Sequence, residues 1–115
     1  MSNRTLRVNE LIQREMSAIL HQRHQSEAVT ITITEVRVAP DLRDARVFVS
    51  VVGNEEEQTA KLRWLRAQSR EIRFELGRRI VLKYLPRFEY VLDHSIEHAT
   101  HLLKLIDEVE PPKPA

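Results

Sequence analysis

Apolar residues near the amino terminus recur three and four apart, at Val8, Leu11, Ile12, Met16, Ile19 and Leu20. That spacing predicts an amphipathic helix over residues 4–24, with Ser2 or Asn3 as its cap and Arg4, Arg7, Glu10, Arg14 and Arg23 on its outer face. Gln25-Ser26-Glu27 reads as a polar connector. The period then drops to two. Val29, Ile31 and Ile33 alternate with threonines, as in a half-buried strand, and the alternation resumes at Val36 and Val38 one residue out of phase. One extra residue near Thr34-Glu35 turns the inward set over, so a β-bulge is expected there. Ala39-Pro40-Asp41-Leu42-Arg43-Asp44 reads as a turn. A second strand follows, with Ala45, Val47, Val49 and Val51 inward, and the two form an antiparallel hairpin.

Gly53-Asn54-Glu55-Glu56-Glu57 stops that strand and opens a helix. Asn54 is a good N-cap, Glu57 completes a capping box, and the carboxylates meet the positive end of the helix. Helical spacing continues through Leu62, Leu65, Ile72, Leu76 and Ile80 to about residue 85, but falters at Ala67-Gln68-Ser69. Two helices joined by a kink account for this, and Pro86 ends the second. Arg87–Asp93 is a third strand with Phe88, Tyr90 and Leu92 inward. Asp93 or Ser95 then caps a last helix through Ile96, Ala99, Leu102, Leu103 and Ile106. Residues 1–110 form one domain on this reading, and the proline-rich 111–115 form a disordered tail. A strand–helix–helix–strand crossover makes the second and third strands parallel. The expected fold class is therefore α+β: a two-layer sandwich with a three-stranded mixed sheet and helices on one face.

Composition narrows the chemistry. The 115 residues include no cysteine, which excludes disulfides, cysteine-zinc sites and thiol nucleophiles. Gly53 and Gly77 are too few and too far apart for a phosphate-cradling glycine loop. No apolar run approaches the ~18 residues that span a bilayer, and no apolar signal region follows the amino terminus, so a cytoplasmic protein without a membrane role is expected.

The net charge of +1 conceals a gradient: −2 over residues 1–60, +7 over 61–87 and −4 over 88–115. Local charge is what a ligand feels, within a Debye length of ~8–10 Å, so the central block points to a polyanionic partner. A solvated helix face is the plainer account of the same block. On a helical wheel Arg63, Arg66, Arg70 and Arg73 share an arc of about 80°, and Gly77 on that arc adds no side chain to shield it. Arg78, Arg79, Lys83 and Arg87 extend the charge. Arginine outnumbers lysine seven to two here, which favours bidentate phosphate contacts. Arg43 and Arg46 beside the hairpin offer a second contact. Trp64 and Tyr84 have rings that stack on bases, yet with aromatics so scarce both are expected to pack.

Other constellations carry less. His94-Ser95-Ile96-Glu97-His98 matches the H-x-x-E-H zinc-hydrolase pattern, and His101 lies three further on. Three ligands from one short helix rarely enclose an open metal site, so this hydrolase reading stays a rival only. His21 and His24 suit the negative end of the first helix. Glu75 is expected to pair with Arg79 one turn on. Ser26, Ser50, Ser69 and Ser95 lack a histidine and a carboxylate arranged around them in a recognisable pattern, and no catalytic residue or cofactor is expected.

The segments Val36-Arg37-Val38-Ala39-Pro40-Asp41-Leu42 and Ala45-Arg46-Val47-Phe48-Val49-Ser50 resemble the hairpin of the bacterial ribosome-binding factor A family. Further similar segments are Arg4, Arg7, Val8, Glu15 and Ile19-Leu20, then Ile72-Arg73, Leu76, Leu82-Lys83-Tyr84-Leu85-Pro86, and Asp93-x-Ser95-x-Glu97. The resemblance runs over about residues 4–106. It implies a KH-like fold of type II in which an Ala-x-Gly interhelical kink replaces the GxxG loop. Here the triplet is Ala67-Gln68-Ser69, with a serine in place of the glycine, and the serine hydroxyl is available to cap the next helix. The usual KH grip on four nucleotides would then be absent. The resemblance further implies a non-enzymatic assembly factor that is a monomer when free. It would bind the 30S subunit and its 16S rRNA late in maturation, near the decoding region and the neck, promote processing of the 5′ end of that RNA, and leave before translation. A KH-like module acting on other RNAs, or a module for an acidic protein, are the rivals that binding experiments separate.

Overall fold

A computed structural model describes residues 3–94. The elements are α1 (Asn3–Arg23), α2 (Gln25–Ala28), β1 (Ile31–Val38), β2 (Asp44–Val51), α3 (Glu55–Ala67), α4 (Ser69–Arg79) and β3 (Arg87–Leu92). The sheet order is β1-β2-β3, with β1 antiparallel and β3 parallel to the central strand. Apart from the short α2, this is the expected α–β–β–α–α–β arrangement. The expected last helix, most of the His94–His98 segment and the proline-rich end lie outside the described residues.

The core forms where the two periodicities meet. Ile12, Met16, Ile19 and Leu20 of α1 and Leu65, Ile72 and Leu76 of the later helices are buried on the inward residues of the strands. Ile31, Ile33, Val36 and Val38 are all inward because the register shifts between Ile33 and Glu35, which leaves Thr34 opposite no residue of β2. The Thr34 hydroxyl donates to Asp93 Oδ2 at 2.6 Å and so ties the bulge to the end of β3.

Four local expectations need correction. Val29 lies outside the strand and is 76% exposed. Residues 25–28 are helical rather than a plain connector, so the chain reaches Val29 still in helical geometry, and Ala28 fills the inward position instead. The second central helix stops at Arg79, not near residue 85. Ile80 is already extended (φ −123°, ψ 149°), and Leu82 and Leu85 pack on the core from a loop. Finally, Glu75 does not pair with Arg79. It is nearly buried and forms an ion pair with Arg23 at 2.9 Å, with Arg78 at 3.6 Å, while Arg79 reaches back to Glu15 and Gln22 of α1.

Candidate nucleic-acid interface

The capping box at Asn54 and Glu57 fixes where α3 begins, and burial of Leu65 fixes its rotation. Together they turn Arg63 and Arg66 to solvent. Gln68 (φ −87°, ψ 0°) is the single residue between α3 and α4. Its N–H bonds back to Trp64 and Leu65, and its carbonyl accepts from Ile72, so the kink keeps its backbone bonded through the change of direction. Ser69 is the first residue of α4 and makes no capping bond, contrary to the role expected of its hydroxyl. Burial of Ile72 and Leu76 then directs Arg70 and Arg73 outward.

The side chains of this face are held without being neutralised. Arg66 Nη2 donates to the Tyr90 carbonyl at 3.2 Å. Arg73 donates to the Leu85 carbonyl at 2.9 Å and to that of Pro86 at 3.4 Å. A neutral carbonyl orients a guanidinium but leaves its charge and several of its donors free. Arg63 and Arg70 make no hydrogen bond or ion pair among the described residues. The basic residues further along are placed differently. Arg78 faces Glu75 at 3.6 Å, Arg79 faces Glu15 at 3.6 Å, and Arg87 bonds Asp44 at 3.1 Å. Lys83 sits over the Tyr84 ring at 5.6 Å. Of the eight candidates, Arg66, Arg70 and Arg73 form an unneutralised ridge lining one groove, Arg63 lies on a separate one beside Glu55 and Glu56 at the other end of the row, Lys83 stands apart on the loop, and the other three are shared with acids. Arg46 at the hairpin also has an acid nearby, Glu89 at 3.9 Å.

Beside the ridge runs a shallow groove of about 830 Å³, bounded by Arg66, Arg70, Arg73, Arg78 and Leu85. Gly77 forms part of its wall. A Cβ there would lie 3.2 Å from Leu85 Cδ1, so the glycine lets the loop that supplies the Leu85 and Pro86 carbonyls approach α4 closely. In the same groove stands Phe74, 66% exposed, which the sequence reading passed over. Its signal was there: Phe74 is about 160° from both Ile72 and Leu76 on the wheel, away from the buried stripe.

The two aromatics that the sequence reading weighed divide. Trp64 packs as expected, half-buried against the core with its ring edge-to-face on His24 at 5.1 Å. Tyr84 does not; it is 73% exposed. Beneath the kink, burial pushes the Tyr90 hydroxyl up from 10.0 to about 12, with the Ser69 side chain acting in the other direction. Among the described residues there is no cluster of metal-ligating side chains. No described helix is long and apolar enough to cross a membrane.

Comparison with known proteins adds an independent line. Residues 4–106 match the family model described as Ribosome-binding factor A. Curated relatives of that description include one from Opitutus terrae, 70% identical over 117 residues (99% of this chain, 96% of the relative). Another, from Acetivibrio thermocellus, is 43% identical over 104 residues (89% and 85%). Among solved structures, the crystal structure of ribosome-binding factor A from Thermus thermophilus superposes with a TM-score of 0.68 at 23% identity, covering 76% of this chain and 94% of its own. A homology model of the Thermus thermophilus factor, fitted into a cryo-EM map of its complex with the 30S subunit, gives a TM-score of 0.60 at 24% identity (73% and 89%). These structural likenesses establish the KH-like fold.

Proposed function

The chain belongs to the ribosome-binding factor A family, and from that premise we propose that it binds the small ribosomal subunit through the arginine ridge of α3 and α4. The observation that carries the proposal is the state of the ridge. Arg63, Arg66, Arg70 and Arg73 face solvent, and the two that are tethered are held by carbonyl oxygens rather than by acids. Folded rRNA presents dense phosphate and shape with little readable sequence, and an oriented row of guanidinium groups suits that surface. Arg78 borders the ridge, Lys83 and Arg87 lie further off, and these three take weaker phosphate contacts, whereas Arg79, held by Gln22 and Glu15, takes little part.

Within this reading the protein acts late in small-subunit maturation and promotes processing of the 5′ end of 16S rRNA as a non-enzymatic monomer. Guanidinium groups hold phosphate but do not exchange protons near neutral pH, so a site built of them binds rather than catalyses. Charge reversal of Arg66, Arg70 and Arg73 together is expected to abolish cosedimentation with immature small subunits. The matching phenotype is accumulation of 5′-extended rRNA in cells carrying only that variant. Unchanged cosedimentation would remove the ridge as the binding site.

A further inference from the structure

The chain has six aromatic residues of the Phe, Trp and Tyr types, and five of them are occupied. Arg37 lies over the Phe48 ring at 5.3 Å and Lys83 over Tyr84 at 5.6 Å. Trp64 meets His24, Phe88 packs against the core, and Tyr90 is buried within it. Phe74 is the exception. Among the described residues no cation or aromatic ring covers it, although it stands in a groove lined by Arg66, Arg70, Arg73 and Arg78.

Exposure of a phenylalanine carries a cost in water that a buried position would not. Its surroundings indicate what offsets that cost. On the wheel Phe74 lies about 40° from Arg70 on one side and about 40° from Arg78 on the other. These two residues are one helical turn away in either direction, about 6 Å along the axis. Gly77, three residues on, adds no side chain beside the ring, and Leu85 closes onto the glycine instead. An apolar π-face between guanidinium groups fits a nucleotide, with the base on the ring and the flanking phosphates on the arginines. An apolar protein surface would leave Arg70 desolvated without a counter-charge, which is costly.

We propose that Phe74 is a stacking platform for one unpaired base of the bound RNA, with Arg70 and Arg78 on the phosphates to either side. The inference rests on the phosphate-binding reading of the ridge and adds to it that the groove takes a single-stranded or flipped-out nucleotide. It differs from the grip of a GxxG loop, because the contact comes from a side chain on the body of α4 rather than from loop backbone.

The test uses the full chain and two short single-stranded RNAs of one mixed sequence, one intact and one with abasic riboses at its central positions. The wild type should bind the intact strand about 10-fold more tightly than the abasic one, in line with the value of one stacked base. Phe74→Ala should remove that difference, and Arg70→Ala should weaken both strands alike. In the Phe74→Trp variant, fluorescence in excess of the Trp64 background should be quenched by the intact strand only. Equal binding of both strands by the wild type, with Arg70→Ala still weakening them, overturns the platform and leaves the phosphate reading standing. Failure of the wild type to bind either strand overturns both. Quenching of that excess fluorescence by polyglutamate, or a Phe74-dependent dimer in sedimentation velocity, assigns the ring to a protein contact and also overturns the proposal.

Discussion

Arg23 Nη2 lies 2.9 Å from Glu75 Oε1 in an ion pair that links the last turn of α1 to the middle of α4. The carboxylate is nearly buried, whereas the guanidinium is about half exposed and also reaches Glu71 at 3.3 Å. Removing one partner of such a pair leaves a buried charge uncompensated, the expensive way to break it. Arg78 at 3.6 Å supplies partial compensation, and the exposure of Arg23 screens the interaction. Arg23→Ala should therefore cost about 1–2 kcal/mol, below the roughly 3–5 kcal/mol of a fully buried pair. In urea unfolding the midpoint should fall, and Glu75→Gln on top of Arg23→Ala should recover part of the loss. An unchanged midpoint would show that Arg78 alone satisfies Glu75.

The contrast between Arg70 and Arg79 separates binding from architecture. Arg70 has no partner among the described residues, while Arg79 bonds Gln22 at 2.6 Å and faces Glu15. Arg70→Ala should leave thermal stability within about 0.5 kcal/mol of the parent, as for surface changes away from specific features. It should also reduce the log–log salt slope of RNA binding by about 0.7–0.9, one phosphate contact. Arg79→Ala should do the reverse, lowering stability by about 1 kcal/mol with little effect on the slope. Fluorescence anisotropy across a salt series, with melting curves on the same preparations, reads both quantities.

What the sequence made legible is what local physics controls. The phase change between Ile33 and Val36 located the bulge, the lost apolar position near Ser69 located the kink, and Asn54 with Glu57 located the start of α3. Two of the misreadings arise where the tertiary setting overrides the local rule. Arg79 had Glu75 one turn away, but Arg23 occupies that carboxylate from α1. Ile80, Leu82 and Leu85 keep apolar character beyond Arg79, yet extended backbone buries them as well as a helix would. The candidate ridge was visible as an arc on a wheel. Its division into carbonyl-held, free and acid-paired arginines was not, because the carbonyls of Leu85, Pro86 and Tyr90 are brought to it only by the packing of β3 and its entry loop.

Thr34 shows how the bulge is secured. Its hydroxyl reaches Asp93 at 2.6 Å, across the width of the central strand, and lies 3.2 Å from the Phe48 carbonyl. A hydrogen bond to a carboxylate is worth more than a neutral one. Thr34→Val keeps the β-branched shape but removes the donor, and should cost about 1.5–3 kcal/mol. Amide exchange should quicken at Asp93, whose N–H bonds the Val49 carbonyl, before it quickens at the centre of the hairpin. Exchange that rises uniformly would mean that the bond contributes to global stability only.

Tyr90 makes the alkaline limb of the stability curve diagnostic. Its hydroxyl is buried without a well-formed hydrogen bond, and burial, opposed by Ser69, raises its pKa from 10.0 to about 12. The folded value exceeds the unfolded one, so the unfolded chain releases this proton first as pH rises. The tyrosine's contribution is complete below about pH 10 and is lost between about pH 10 and 12, a displacement corresponding to roughly 2–3 kcal/mol. Tyr90→Phe removes both the titration and a poorly satisfied buried oxygen. At pH 7 it should be neutral or stabilising by about 1 kcal/mol, since the lost group has no strong hydrogen bond to offset its desolvation. Above about pH 10 its stability should fall less steeply than that of the parent, the lysines contributing equally to both. Parallel urea midpoints for the two proteins from about pH 8 to 11.5 would show that the hydroxyl is solvated in the folded state and that the core beneath the kink is open to water.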